Sequence, residues 1–237
     1  MSQGKGGSKT ENFSSTLMEE LNCKTVFTIP VFGGIPVLES VVVTWVLMAV
    51  LVLLSLLLVR DLKVENPGRR QLLLESGVEF LYNFFHGILG EEGKRYIPYL
   101  MTVVVYIGFA NVCGIFGFTP PTKDLNVTAG MAVMSIVLIE YAGIHQKGIK
   151  GFGKSFLEPI PIMLPINIME VLIRPTSLCM RLFGNILGGF VVMKLIEFIC
   201  PLLLPIPLSL YFDFFDGFIQ AYVFVFLTAL FMKETME

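Results

Sequence analysis

Residues 36–59 form an apolar run that is interrupted only by Glu39, Ser40, Thr44 and Ser55. A helix of about 20 apolar residues is long enough to cross the hydrocarbon core of a bilayer. Inside hydrocarbon a helix satisfies its own backbone hydrogen bonds, whereas an irregular segment cannot. The run therefore predicts a transmembrane helix and restricts the chain to folds that lie in a membrane.

Composition extends this prediction to the whole chain. The 237 residues are 54% hydrophobic and 15% charged, and a soluble domain of this size could not bury so much apolar surface. The net charge of −2 gives no basic surface for nucleic acid. The four cysteines lack the spacing of a metal site, so we expect them to be buried thiols. The predicted class is an all-α polytopic membrane protein.

The remaining apolar runs predict one transmembrane domain at residues 36–237, which follows an N-terminal tail and surface segment at residues 1–35. Five crossings are expected, at about 36–59, 96–118, 126–146, 161–197 and 206–232. Residues 71–92 place apolar side chains at steps of three and four, with polar ones on another face. This pattern predicts an amphipathic helix at the membrane interface.

The fourth apolar segment, residues 161–197, is too long for a simple crossing. At 1.5 Å per residue its helix would measure roughly 55 Å, whereas the hydrocarbon core is ~30 Å thick. We therefore expect this helix to be steeply tilted, or else broken near Pro175.

Basic residues are concentrated in two loops. They are Arg60, Lys63, Arg69, Arg70, Lys94 and Arg95 between the first two crossings, and Lys147, Lys150 and Lys154 between the third and fourth. In the loops at residues 119–125 and 200–207, the only basic residue is Lys123. Because loops rich in Lys and Arg stay in the cytoplasm, the N-terminus is expected outside and the C-terminus in the cytoplasm.

Residues 169–189, MEVLIRPTSLCMRLFGNILGG, carry charges in an otherwise apolar helix. An Arg or Asp at mid-membrane costs roughly 2.5–3.5 kcal/mol. At 100° per residue the polar side chains share one face about 80° wide. They are Glu170, Arg174, Ser177, Arg181 and Asn185. This face must contact protein or water, and the glycines at 184, 188 and 189 leave room beside Arg181 for another helix.

The last crossing carries a second polar face. Asp213, Asp216 and Gln220 fall within about 60° on an α-helix. An isolated carboxylate is expensive to keep ionised in an apolar medium, so two acids here indicate access to water or ion exchange. The residues alone leave one alternative open. Arg181 could pair with Glu170, Asp213 or Asp216 only to hold helices together.

Three motifs resemble those of one family. LPINIMEVLIRPTSLCMRLFGNILGG resembles the helix-five motif of subunit a of F-type ATP synthases. FANVCGIFGFTPPTKDLNVT resembles the third-helix and loop motif of that family, and FDGFIQAYVFVFLTALFMKE resembles its C-terminal helix. The motifs occur in the family's order and cover most of residues 100–237, whereas the first 35 residues carry little of the resemblance.

The resemblance implies an ion-translocating stator subunit of the F0 sector. Such a subunit provides two half-channels to and from the carboxylates of a c-subunit ring, so that flow of protons, or alternatively sodium ions, drives rotation and ATP synthesis. The implied partners are the c ring, the b subunits of the peripheral stalk, the other F0F1 subunits and membrane lipid. The subunit would be non-catalytic, would hold no cofactor or metal, and would lie in the plasma membrane of a bacterium.

The resemblance also implies roles for single residues. The family's essential arginine falls on Arg181, where a fixed cation would favour the ionised ring carboxylate and separate the half-channels. Asn185 and Gln220 match polar positions near that arginine. Glu170 matches an acid eleven residues before it.

Further members of the implied ion pathway are Ser177, Asp124 in the loop motif, and Asp213 and Asp216 of the last crossing. Asp213 lies seven residues before Gln220, where relatives carry an ionisable group. The chain departs from the family at Phe190, since many relatives have Glu or His directly after the glycine that is Gly189 here. The relay role of that side chain is then expected on Asp213 or Asp216.

Two other functions compete with this interpretation. A stand-alone ion channel or secondary transporter would be expected to show internal repeats and a midplane substrate pocket, and the sequence shows neither. A purely structural membrane subunit would not need several ionisable residues on two helices. Co-purification of a c ring and soluble ATPase subunits would discriminate between these functions.

Overall fold

A computed structural model describes residues 25–29, 35–60, 62–63, 68–116, 120–155, 162, 164–199 and 205–237. Residues 1–24 and 30–34 of the predicted tail and surface segment (residues 1–35) lie outside the described part. The side chain of Asp213 does so too, although its backbone is described.

The first described elements are two short antiparallel strands, β1 (Thr25–Ile29) and β2 (Ile35–Leu38). Helix α1 (Glu39–Val59) follows β2 directly. The helix begins three residues later than the apolar run does, because the backbone of residues 35–38 pairs with β1 instead of turning into a helix.

The later helices are α2 (Arg69–Leu89), α3 (Ile97–Val112), α4 (Leu125–Ser155), α5 (Leu164–Ile199), α6 (Pro205–Ser209), a π-helical segment (Leu210–Asp216) and α7 (Gly217–Met236). Between some of the described helices lie short 3₁₀ turns, at Lys94–Tyr96, Cys113–Phe116 and Pro121–Lys123.

Four helical segments of the described chain are long and apolar enough to cross a membrane. They are Glu39–Val59, Leu125–Ser155, Leu164–Ile199 and Pro207–Met236. Helix α3 has only 16 residues, but a 3₁₀ turn extends it to Phe116. The predicted class, an all-α polytopic membrane protein, is confirmed.

Helix α5 runs through Pro175 without a break. Proline removes one backbone hydrogen bond, but the surrounding turns continue the helix, so the expected alternative of a break does not occur. The 36 residues of α5 extend over about 54 Å, against a hydrocarbon core of ~30 Å. The helix must therefore be strongly tilted away from the membrane normal if its apolar length is to stay within the hydrocarbon core.

Helix α7 occupies the centre of the bundle, where α2, α3 and α4 all pack against it. Its buried side chains include Phe224, Val225, Ala229 and Met232, each 1% exposed or less. By contrast, the buried side chains of α5 are only Leu178, Cys179 and Leu182. Much of the surface of α5 is therefore left open by its own chain.

The two N-terminal helices expose apolar surface. On α1, Leu53 and Leu56 are 61% and 68% exposed, as expected for side chains solvated by hydrocarbon. On α2, Phe85 is buried and Phe84 packs against Tyr222 of α7, with ring centroids 5.5 Å apart. Phe80 of α2 is 70% exposed. Helix α2 therefore uses part of its apolar surface inside the bundle and leaves part free to contact lipid.

Two glycines of α4 provide a matched test of packing between α4 and α7. A Cβ at Gly143 would overlap the methyl group of Thr235, whereas a Cβ at Gly130 would meet open space. We expect Gly143→Ala to destabilise the fold by about 1–3 kcal/mol through overpacking. Gly130→Ala should instead raise stability by up to about 1 kcal/mol, because alanine has the higher helix propensity. Thermal unfolding in detergent measures both, and equal effects would contradict this packing.

Candidate functional site

Arg181 lies on an exposed face of α5. Ser177 and Asn185, one turn before and after it, are also exposed. A Cβ added at Gly184 or Gly188 would meet nothing within 4 Å, so the same helix presents an open strip of backbone. In the part of the chain that the structure describes, Arg181 has no hydrogen-bond or ion-pair partner. Among the described residues, its charge is therefore not neutralised.

Glu170 and Arg174 do not join Arg181, although the sequence places them on one helical face. The Arg174 Nη2 atom lies 3.1 Å from a carboxylate oxygen of Glu170 and 3.1 Å from one of Glu234. Its Nη1 donates to the Thr235 hydroxyl at 3.1 Å. This cluster ties α5 to the last turn of α7, so the alternative in which Glu170 neutralises Arg181 does not hold.

A cavity of about 190 Å³ lies beside this cluster. Its polar lining includes Glu140, Asn167, Glu170, Arg174 and Glu234. A polar cavity of this size has room for several water molecules. Three carboxylates against one guanidinium give it a negative balance, which favours cations. Among the described residues, no three His, Cys, Asp or Glu side chains form a metal site.

Asn185 and Gln220 meet across α5 and α7. The Asn185 Nδ2 donates to the Gln220 Oε1 at 2.7 Å. Gln220 is only 2% exposed, and its Nε2 has no hydrogen-bond partner among the described residues. A buried amide with a free donor can bind water or a passing polar group. The structure thus brings these two predicted site residues together, one helical turn from Arg181.

Asp124 is buried in the turn that precedes α4. It accepts hydrogen bonds from the Ser40 hydroxyl at the start of α1 and from the Asn126 backbone N–H at 2.9 Å. Asp124 as a whole is 5% exposed, and its carboxylate joins α1 to the turn. The described contacts of Asp124 are therefore structural.

A second set of hydrogen bonds joins the same turn to α3 and α7. The Thr122 hydroxyl donates to the Asn111 Oδ1 at 2.8 Å, and the Asn111 Nδ2 donates to the Gly217 carbonyl at 2.9 Å. Gly217 is the first residue after the π-helical segment, so this hydrogen bond lies where the π-helical winding ends. Asn111 therefore fixes the point at which α7 begins, three residues before Gln220.

The π-helical segment changes the expected position of the two acids in it. Asp213, Asp216 and Gln220 share a face only if an α-helix runs through all three, and residues 210–216 are wound as a π-helix. Asp216 is half-buried and has no hydrogen-bond partner among the described residues. π-Helical segments occur frequently at functional sites.

Phe190 lies under a lysine of the turn. The Lys123 Nζ is 3.5 Å from the ring centroid of Phe190, and the Lys194 Nζ is 5.8 Å from it. Lys123 is 7% exposed, although lysine is rarely so buried. The sequence identified Phe190 as unusual, but it gave no sign of this partner. Glu234 was likewise missed, because it lies in the charged stretch after the last apolar run.

Comparison with known proteins identifies the family. Residues 41–233 match the family model described as ATP synthase A chain. The chain belongs to this family. It is 38% identical to ATP synthase subunit a of Moorella thermoacetica over 197 residues, which cover 83% of this chain and 89% of the relative.

Two further subunit a relatives agree with this assignment. The sodium ion specific subunit a of Propionigenium modestum is 34% identical over 219 residues, covering 86% of this chain and 75% of the relative. Subunit a 1 of Hahella chejuensis is 34% identical over 206 residues, covering 86% and 87%. The resemblance seen in the motifs is confirmed. As a member of the subunit a family, the chain is an ion-translocating membrane subunit of the F0F1 ATP synthase.

Two threonines provide a matched test of the network that fixes α7. Thr122→Val should destabilise the chain by about 1–3 kcal/mol, because it leaves the buried Asn111 Oδ1 without a donor. Thr102→Val removes an exposed hydroxyl that, among the described residues, bonds only to the Pro98 carbonyl of its own helix, so its effect should stay within about 0.5 kcal/mol. Thermal unfolding of the two variants compares them directly. Equal losses would show that the buried network is unimportant.

Proposed function

We propose that the exposed face of α5 around Arg181 is the surface at which this subunit meets the c ring, and that Arg181 separates two aqueous half-channels. The observation that carries this proposal is an exposed arginine with no partner among the described residues, on a helix of a membrane protein. A guanidinium facing lipid would be costly, so something other than hydrocarbon must cover it.

The helix beside Arg181 is suited to close approach. Gly184 and Gly188 lie one and two turns along α5, and both face open space. Small residues allow two membrane helices to bring their backbones together. A ring helix that carries a carboxylate would supply both the contact and the opposite charge.

A guanidinium is charged throughout the physiological pH range, so Arg181 is a fixed cation. Next to it, the ionised form of a ring carboxylate is favoured over the form that has bound an ion. A carboxylate that reaches Arg181 must therefore release its ion on one side and can take up another only after leaving. The same positive charge repels a cation that would pass directly between the half-channels.

The two half-channels can be assigned to opposite ends of α7. The cavity at Glu140, Glu170 and Glu234 would form the cytoplasmic one, because the distribution of Lys and Arg favours a cytoplasmic C-terminus. Its negative balance would attract cations. Ser177 lies between this cavity and Arg181 along α5.

The other half-channel would pass Asn185 and Gln220, with Asp213 and Asp216 as carriers of the ion and Asp124 holding its outer end. It would open outside the plasma membrane of a bacterium, on the side of the chain's N-terminus. The subunit itself would be non-catalytic, and the b subunits of the peripheral stalk would hold it as stator. The carried ion, a proton or sodium, would be selected by the binding site on the ring.

Arg181→Ala should reduce ATP synthesis in energised membrane vesicles to background, because the ring carboxylate then loses the charge that drives ion release. ATP hydrolysis by the soluble sector should persist. Arg70→Ala, which removes an exposed charge at the start of α2, should leave synthesis unchanged. Synthesis retained by the Arg181→Ala enzyme would refute the assignment.

Asp213→Asn should impair ATP-driven ion pumping and leave assembly of the complex intact, because an amide cannot exchange a proton. Asp216→Asn, made in parallel, shows which of the two acids carries the relay. Pumping that stays at the wild-type rate in both variants would rule out a relay through this helix.

A further inference from the structure

The contact between Lys123 and Phe190 joins the turn at residues 120–124 to helix α5. Lys123 belongs to the turn at residues 120–124, whose neighbouring side chains are bonded to α1 and α3. Phe190 belongs to α5. At 3.5 Å from the ring centroid, the ammonium is well inside the range of a cation–π interaction.

Phe190 and Arg181 lie on opposite sides of α5. They are nine residues apart, which at 100° per residue amounts to two and a half turns, or a rotation of about 180°. The turn at residues 120–124 therefore contacts the face of α5 that is opposite to Arg181. The face of Arg181 also carries the open positions at Gly184 and Gly188.

The half of α5 beyond Arg181 needs such support. In the described part of α5, no residue after Leu182 is buried. Asn185 holds this half to α7 through one hydrogen bond, and Gly189 faces the ring of Phe212. Compared with helices α3 and α7, this half is weakly packed, and a segment with few buried apolar contacts opens locally at a low free-energy cost.

We propose that Lys123 and Phe190 are positioning residues, whose cation–π contact braces the far half of α5 against the 120–124 turn and so fixes the distance between Arg181 and the ring. This inference rests on the function proposed above for Arg181. It also explains the aromatic residue at position 190, whose ring contacts the buried ammonium of Lys123.

Substitutions of similar size separate the cation–π contact from simple packing. Lys123→Met keeps an unbranched side chain and removes the charge. Phe190→Leu keeps apolar bulk and removes the ring, whereas Phe190→Trp keeps an aromatic face. Lys123→Arg keeps a cation that can stack on the ring.

The variants are made in the complete ATP synthase complex. In Lys123→Met and in Phe190→Leu, amide hydrogen exchange of residues 183–199 should become about 5- to 30-fold faster, as expected for loss of a desolvated cation–π contact. The number of ions pumped per ATP hydrolysed should fall by about 3- to 10-fold, with the amount of assembled complex unchanged. Lys123→Arg and Phe190→Trp should behave as wild type.

The double variant Lys123→Met/Phe190→Leu completes the test. If the two side chains act through one contact, it should be no worse than either single variant. Additive losses, or wild-type exchange in Lys123→Met, would overturn the brace. A defect in Phe190→Trp as large as that in Phe190→Leu would also overturn it, because only tryptophan keeps an aromatic face for the ammonium. If the complex with Lys123→Met fails to assemble, the difference in amide exchange between Phe190→Leu and Phe190→Trp still tests the contact.

Hydrogen exchange does not depend on ion flow, so the brace and the proposed function can fail separately. Faster exchange in Lys123→Met, together with ATP synthesis retained by Arg181→Ala, supports the contact and rejects the role of Arg181. Unchanged exchange, together with synthesis lost in Arg181→Ala, rejects the brace and leaves the role of Arg181 standing.

Discussion

Hydrocarbon cannot solvate a guanidinium, and this constraint organises the site. Arg174 and Arg181 lie seven residues apart on one helix, yet the chain treats them differently. Arg174 is surrounded by two carboxylates and a hydroxyl of its own chain. Arg181 is left exposed. Arg174 therefore stabilises the fold of this chain, whereas we propose that Arg181 meets its counter-charge on a partner subunit.

The position of α7 makes this arrangement possible. Because α2, α3 and α4 pack against α7, the core closes without burying most of α5, although α4 also packs along α5. Helix α5 can then present one face to another protein and still be fixed at a few points. Those points are the Arg174 cluster near one end, Leu178 and Leu182 in the middle, and the contacts of Asn185 and Phe190 beyond.

The sequence predicted the features that depend on local pattern. Apolar length gave the membrane helices, and helical periodicity placed Asn185 near Arg181. The exposure of Arg181 was not visible, because periodicity shows which residues share a face but not what covers that face. The relation of Asp213 to Gln220 depends on a π-helical turn, which residue spacing does not reveal. The partners Lys123–Phe190 and Arg174–Glu234 were missed because they are far apart in sequence.

The Arg174 cluster has a consequence for how the chain enters the membrane. Glu234 and Thr235 are made about 60 residues after Arg174, which at the usual rate of synthesis corresponds to about 3–12 s. During that interval α5 is already emerging from the ribosome without its partners on α7. Glu170, which lies one turn before Arg174 and pairs with it in the folded chain, is the nearest counter-charge on the same helix. The local ion pair can thus shield the arginine during insertion, before the last helix arrives to complete its surroundings.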